Sequence, residues 1–597
     1  MLKPRWCSLR AVLVVLALLF GVGIATANPA AAAEDDAPAK AVTWAEGFLG
    51  QTKYDSLCLQ FVSDAYKNGA NVSIGSSDSA KTYWYDHSDG KNTDTNPPLG
   101  ALVFWDATTG KYPNPYGHVA LSLGDGKVIS SYERSDHTIH EFLIKDRNAA
   151  GYSYLGWMMP PGVTAPTGSS TTNPAPPPVV NHPEGVATVA YNGTLQAFYH
   201  SRGSGNLRHA VMNSAGSWSN FENLDGNAGS IAGQLGSYGT QAGTAVTAIV
   251  FNNTLYVFYY AASSGNLRVM WTSPTQGWQV TNLDGDVGSL AWQAGNYATH
   301  TGQSISAAVF GSTLQVFYTA DGGRVRHAVK NASGSWSNFE NLDGNAGSIA
   351  SQIGPYTTAN ASVSSVVDAS GVLHVFYPTS DGKLRHMWTS ATQGWQLQSL
   401  DGDVGSVAGQ LNSGSFATPA GGVNSIVDSS GVLRVFYNTT AGLRTMWTSA
   451  TQTWQVTNLD GDAGSLAGQT GNYGTNIGAS ISSAVDASGA IQLVYPANGE
   501  LRHAVKSTTG SWSNFENLDG NAGSIAGQLG SYGANVGNPV SVSVLGSTIQ
   551  ILYRQASNGD MRTMTTTPPT SGWAVTNLDG DPGSLAGQTG NYGTDLG

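Results

Sequence analysis

The stretch Asp55-Ser56-Leu57-Cys58-Leu59-Gln60-Phe61-Val62-Ser63-Asp64-Ala65-Tyr66 holds the residue best suited to covalent chemistry. Asp55 and Ser56 are residue types that cap helix N-termini, and Leu59, Val62, Ala65 and Tyr66 recur at helical spacing. Cys58 is therefore expected in the first helical turn, near the positive end of the helix dipole, where a thiolate is favoured. The other cysteine, Cys7, precedes an apolar leader. Once the leader is removed, Cys58 has no intramolecular disulfide partner. A lone thiol in an exported chain is either a nucleophile or a small buried hydrophobe, and this stretch alone leaves both open.

The leader is legible. Lys3, Arg5 and Arg10 precede the apolar run Ala11 to Ala25, and Ala25-Thr26-Ala27 or Ala31-Ala32-Ala33 offers a cleavage site. Residues 1–33 read as a signal peptide, and the protein as secreted and extracellular. No later segment is apolar enough to be expected to span a membrane. At 597 residues the chain needs more than one core. The formal charge of −12 becomes −15 when the three leader cations are removed. Charged residues make up only 11%, so the surface must be largely Gly, Ser, Thr, Asn and Gln. Such a surface suits hydroxyl-rich partners such as glycans. Without a basic patch to release counterions it does not suit nucleic acid. There is no HExxH, CxxC or EF-hand pattern, so neither a metal nor an organic cofactor is expected. The chain is expected to be a monomer.

Around Cys58 the expected elements are few. Ala41 to Leu49 reads as a short amphipathic helix ended by Gly50, and residues 68–95 as polar loop. Leu99 to Trp105 reads as a buried strand. Gly117 to Leu123, a Gly124-Asp125-Gly126 turn and Lys127 to Ser131 read as a β-hairpin, and Ser153 to Met158 as a closing strand. The expected domain, residues 41–162, is α+β. In their order, Cys58-Leu59-Gln60-Phe61-Val62, Gly100-Ala101-Leu102-Val103-Phe104 and Gly117-His118-Val119-Ala120-Leu121 resemble the NlpC/P60 and CHAP families, papain-like cysteine hydrolases of peptidoglycan peptides and amide links. The resemblance implies Cys58 as nucleophile and His118 as base. It places Ser130 where the family often has a second histidine, with Glu133 as another candidate for the group that orients the imidazole. It also implies an oxyanion hole built on the Cys58 N–H, with the Tyr54 hydroxyl as a candidate helper. His137 and His140 read as surface residues.

Residues 163–184 are rich in Pro, Ser and Thr and read as an extended linker. Beyond it the chain repeats. Asp225, Asp284, Asp343, Asp401, Asp460, Asp519 and Asp579 stand 58 to 60 residues apart, each in a Leu-Asp-Gly signature. Every unit also carries a tyrosine (Tyr199, Tyr259, Tyr318, Tyr377, Tyr437, Tyr495, Tyr553) and a tryptophan (Trp218, Trp278, Trp336, Trp395, Trp454, Trp512, Trp573). Each has one arginine as well: Arg208, Arg268, Arg326, Arg385, Arg444, Arg502 and Arg562. In the second unit Ala245 to Phe251, Thr254 to Tyr260, Asn266 to Thr272 and Gly277 to Asn282 are four short β-type runs. Seven such units, with no atypical capping repeat, predict an all-β seven-bladed β-propeller over residues 185–597. A glycine-rich insert such as 285–300 follows each fourth strand and is expected on one rim.

The units resemble the PLL-like, fucose-binding-lectin-like propellers in their "LxVF…G.L.H…W…L.G" pattern, seen here in Leu314 to Tyr318 and Trp336 to Gly344. That resemblance implies sugar sites in clefts between blades. Tyr and Asp are most simply core filling and turn devices. The arginines are either a repeated Arg–Asp tie or a ring of carbohydrate donors. His209, His327, His386 and His503 follow the arginine in only some units, so the clefts are not expected to be equal. The preferred reading is a secreted cysteine peptidase or amidase acting on bacterial peptidoglycan, held there by a multivalent glycan-binding propeller. The alternatives are a secreted multivalent lectin with an inactive N-terminal domain, and a protein-interaction platform.

Overall fold

The computed structural model describes residues 37–163 and 185–596, apart from 88–89, 96, 107–113, 125, 132–136, 150–151, 361, 412–415, 450 and 569–571. The expected signal peptide, nearly all of the linker and Glu133 lie outside the described residues. The chain divides into two compact units, Met1–Ala175 and Pro176–Gly597.

The first unit is an α+β domain. Its strands are β1 (Leu102–Asp106), β2 (His118–Gly124), β3 (Lys127–Ser130), β4 (His140–Leu143) and β5 (Ser153–Met158). They form one sheet in the order β4-β3-β2-β1-β5, antiparallel throughout. The alternation of a strand assigns its residues to two faces. Leu102, Phe104, Val119, Leu121 and Ile129 meet the helices. Val103, Trp105, Ala120 and Val128 form a second layer with Ile144 and Tyr152. Because β1 is covered on both faces, its sequence is an unbroken apolar run.

The helices are α1 (Ala37–Glu46), α2 (Cys58–Asp64), α3 (Ala80–Asp86) and α4 (Ile144–Ala149). Helix α1 starts four residues before the expected Ala41 and ends three before Leu49. Helix α2 runs on into a π-helical turn, Ala65–Gly69. Helix α3 lies where loop was expected. Its strong local signal is the cap: the Ser79 hydroxyl accepts from the Thr82 N–H at 3.0 Å. What secures it is tertiary packing of Tyr83 and Trp84 on Phe104, with ring centroids 5.8 and 5.2 Å apart.

The second unit is a closed ring of seven four-stranded antiparallel meanders, a seven-bladed propeller. The blades span residues 186–225, 242–284, 305–343, 364–401, 419–460, 482–519 and 536–579. The seventh blade packs on the first. Tyr199 of the first blade donates to Asp579 at 2.8 Å, Thr188 bonds Ser541 at 2.8 Å, and Leu596 bridges to Ser201. A solenoid has no such closing contact. The expected four-strand reading of the second unit holds, although its first strand, Ala242–Phe251, and its last, Gln276–Asp284, are longer than expected. The tryptophans wedge between blades: Trp278 stands edge-on to Phe198 of the preceding blade, and Trp395 does the same to Phe317.

Candidate functional sites

Cys58 is the first residue of α2, as expected, but Asp55 and Ser56 do not cap it. The N-cap is Leu57, which has no side-chain cap. Ser56 instead takes a left-handed turn (φ 60°), and the Asp55 carboxylate meets His137 at 3.0 Å. The half-buried Cys58 lies on the wall of a cavity of about 610 Å³, lined also by Ser56, Gln60, Ser79 and Tyr116. Burial pushes its thiol pKa up, while the backbone N–H groups of Val119, Leu59 and Cys58 itself, and the Arg147 charge, pull it back toward the thiolate.

The Val119 contact places the thiol over the first residues of β2, where His118 is the first strand residue. Gly117 makes that entry possible. Its φ is +72°, and a Cβ there would stand 2.9 Å from Lys81 Cβ. His118 is 3% exposed, and its ring packs near Trp105 and Phe142. Burial lowers its pKa well below the ordinary histidine range, with Arg147 and His140 adding to the shift. Burial thus disfavours the charged form of both the thiol and the imidazole.

Of the two candidates for the third position, Glu133 lies outside the described residues and Ser130 is engaged elsewhere. The Ser130 hydroxyl donates to the Val119 carbonyl at 2.8 Å, so it ties β3 to β2 and does not orient the imidazole. Across β3, Ser130 pairs in register with His140. His140, expected at the surface, is half-buried beside Phe142 and close enough to His118 to disfavour its protonation. His137 is exposed, as expected. The Tyr54 hydroxyl donates to Asp64 at 2.9 Å, so it is engaged away from the oxyanion role expected of it. Arg147 was not singled out from sequence. It is 6% exposed, its guanidinium lies 4.1 Å from the Tyr152 ring centroid and 5.0 Å from that of Trp105, and its charge reaches both Cys58 and His118. A lone arginine in a short helix carries no motif, and only the fold brings it there.

In the propeller, the seven arginines expected as carbohydrate donors or as ties are buried in ties. In each blade the Leu-Asp-Gly aspartate receives the next blade's tyrosine hydroxyl, at 2.5 to 2.9 Å. The same Oδ2 pairs with that blade's arginine at 2.6 to 3.6 Å. The aspartates are at most 1% exposed and Arg208, Arg326 and Arg502 are each 1% exposed, so these guanidinium groups do not face a ligand. The histidines after the arginines are also internal. His209 and His327 each lie between a glutamine and a glutamate, at 2.6 to 2.9 Å.

The tie has a second consequence. Aspartate Oδ1 accepts the N–H of Gly239, Ala298, Thr357, Ala417, Gly474, Gly533 or Gly593, at 2.7 to 3.0 Å. In six blades the arginine donates to the carbonyl of Ser237, Asn296, Pro355, Asn472, Ser531 or Asn591, at 2.7 to 2.8 Å. The residue just before the N–H anchor is always aromatic: Tyr238, Tyr297, Tyr356, Phe416, Tyr473, Tyr532 and Tyr592, and in six blades it lies between the two anchors. All seven are 39 to 49% exposed. The buried tie therefore presents one aromatic ring per blade, among Gly, Ser, Thr and Asn residues of the inserts. This ring was missed because each aromatic sits in a glycine-rich insert read as spacer. Its signal, an aromatic 13 residues after every signature aspartate in six units and 15 after Asp401, is in the sequence.

No family model matches the chain, and no curated protein matches it. Among solved structures it is similar to the BP39L lectin from Burkholderia pseudomallei, at 16% identity over 64% of this chain and 94% of that one, with a TM-score of 0.44. The fucose-specific lectin from Aleuria aurantia aligns at 14% identity over 55% and 93%, TM-score 0.35. AofleA from Arthrobotrys oligospora aligns at 12% over 55% and 85%, TM-score 0.32. At these values the propeller assignment rests on the chain's own strands and their closure.

Proposed function

We propose that the chain is a secreted cysteine hydrolase of amide or peptide bonds in peptidoglycan-type material, held on it by a propeller that binds glycans through its aromatic rim. The observation that carries the hydrolase reading is the Cys58 thiol, set among backbone N–H groups on a cavity wall and against the strand that begins at His118. In this reading His118 takes the thiol proton as Cys58 attacks the substrate carbonyl. The Cys58 and Leu59 N–H groups receive the oxyanion. His118 then returns its proton to the leaving amine, a thioester remains on Cys58, and water activated by His118 releases the acid. His140 is the candidate to orient the imidazole, and Arg147 favours the thiolate.

The glycan reading is supported by the seven exposed rings in glycine- and hydroxyl-rich inserts, since aromatic faces pack on the apolar faces of sugar rings. Seven weak contacts on one polymer add by avidity. A second reading, a multivalent lectin with an inactive N-terminal domain, is favoured by one observation: Ser130, in the place of the third catalytic group, is bonded to Val119 and not to His118. Incubation with purified cell walls separates the two. The hydrolase reading expects new amino groups from the wild type and none from Cys58→Ala, with both proteins sedimenting with the walls. Sedimentation without release by either supports the lectin.

A further inference from the structure

On the propeller, one inter-blade cleft differs from the others. Between the fifth and sixth blades lies a cavity of about 150 Å³ lined by Asp428, Ser429, Arg434, Lys506, Ser507 and Thr508. Ser429 closes one side by donating to the Gly489 carbonyl of the next blade at 2.9 Å. Arg434 is 6% exposed. Its Nε bonds Asp428 Oδ2 at 3.0 Å, and among the described residues no acceptor takes its Nη1 or Nη2.

The repeat makes the peculiarity plain. At the position of Arg434 the other blades carry Gln196, Tyr256, Gln315, His374, Gln492 and Gln550. At the position of Lys506 they carry Met212, Thr272, Lys330, Thr389, Thr448 and Thr566. The only other lysine, Lys330, sits over the Tyr256 ring of the blade before it, 5.6 Å from the centroid. The same meeting point between the fifth and sixth blades brings a lysine to an arginine, with Asp428 the one carboxylate lining the cavity among the described residues, in a chain of net charge −12. Two cations against one anion in a partly enclosed space leave an uncompensated positive charge. Burial and the Arg434 charge accordingly lower the Lys506 pKa.

We propose that this cleft is a single anion-binding site, in which Arg434 and Lys506 receive a compact oxyanion group, with the Ser507 and Thr508 hydroxyls beside it. The cavity admits a carboxylate or sulfate head, and the rest of an acidic sugar would remain outside. This site is independent of the rim and of Cys58.

The test is calorimetric titration of the full chain at low salt with sodium sulfate, with sodium glucuronate, and with glucose as the neutral control. One site per chain is expected for sulfate or glucuronate, and no heat from glucose. Saturation by sulfate alone assigns a free oxyanion. Saturation by glucuronate assigns the carboxylate of a sugar acid. Arg434→Gln and Lys506→Met install residues that other blades carry at these positions, so both variants are expected to fold. Each is expected to weaken binding at least tenfold. Absence of binding by both anions, a stoichiometry near seven, or unchanged affinity in the folded variants would overturn the proposal.

Discussion

The aspartate tie makes a sharp prediction for Asp284→Asn. Asp284 is fully buried, and its Oδ2 receives Tyr318 at 2.9 Å and Arg326 Nε at 2.8 Å. Its Oδ1 receives the N–H groups of Gly285 and Ala298 at 2.8 and 3.0 Å. The four bonds come from four donors, and an asparagine amide can accept at only one of its two terminal atoms. Whichever way it turns, its NH2 group faces two donors. Arg326 also loses the carboxylate it pairs with while remaining 1% exposed. Breaking a buried ion pair from one side costs about 3–5 kcal/mol. Hydrogen exchange of the peptide spanning residues 285–300 reads this locally. Exchange there is expected to accelerate by about two to three and a half decades, and Tyr297 to lose its fixed position. The double replacement Asp284→Leu with Arg326→Met removes both charges and is expected to recover much of the loss. Acceleration of less than about fivefold in Asp284→Asn, roughly 1 kcal/mol, would refute the tie as the anchor of the insert.

Other expectations follow from the same geometry. Because burial raises the Cys58 pKa from the ordinary thiol range, its alkylation by iodoacetamide should keep climbing with pH through that range, and a plateau below pH 7 would contradict this. His200 and His386 are held below the ordinary histidine range by burial, so the folded propeller keeps them neutral where the unfolded chain protonates them. Stability is then full above about pH 6.5 and falls as the pH drops toward the folded-state values, by up to about 1.4 kcal/mol per pH unit for each; urea midpoints across this range should decline, and flat midpoints would count against it. Replacing Tyr238, Tyr356 and Tyr532 together by alanine should weaken sedimentation with cell walls at least tenfold, while any single replacement changes it by less than about threefold, because the sites add by avidity. Equal losses from one and from three replacements would assign binding to one site instead.

Much of this was legible in the sequence, for physical reasons that differ between the two units. The propeller announces itself because a blade cannot bury its faces alone, so the same Tyr, Arg, Trp and Leu-Asp-Gly chemistry must recur seven times. What recurrence could not give was direction: the arginine that looked like a donor ring points inward, since Oδ2 of the preceding blade's aspartate lies there. Nor did it mark the exposed aromatics, which have the composition of a loop. In the first unit, Cys58 and His118 are marked by type and context, but their partners are not. Ser130 stands at a plausible spacing yet bonds the backbone. His140 and Arg147 come from β4 and α4, short elements with no periodicity of their own, and only the strand register Ser130↔His140 and the packing of Arg147 on Trp105 bring them to the site.

The covalent intermediate tests the central claim most directly. Wild type and Cys58→Ala are mixed with a purified wall peptide, quenched in acid at early times and weighed intact by mass spectrometry. The account predicts a mass gain equal to the acyl fragment in the wild type, mapped to Cys58 and sensitive to hydroxylamine, and none in the variant. Release of amine with no adduct at Cys58, or an equal rate of release by Cys58→Ala, would contradict it.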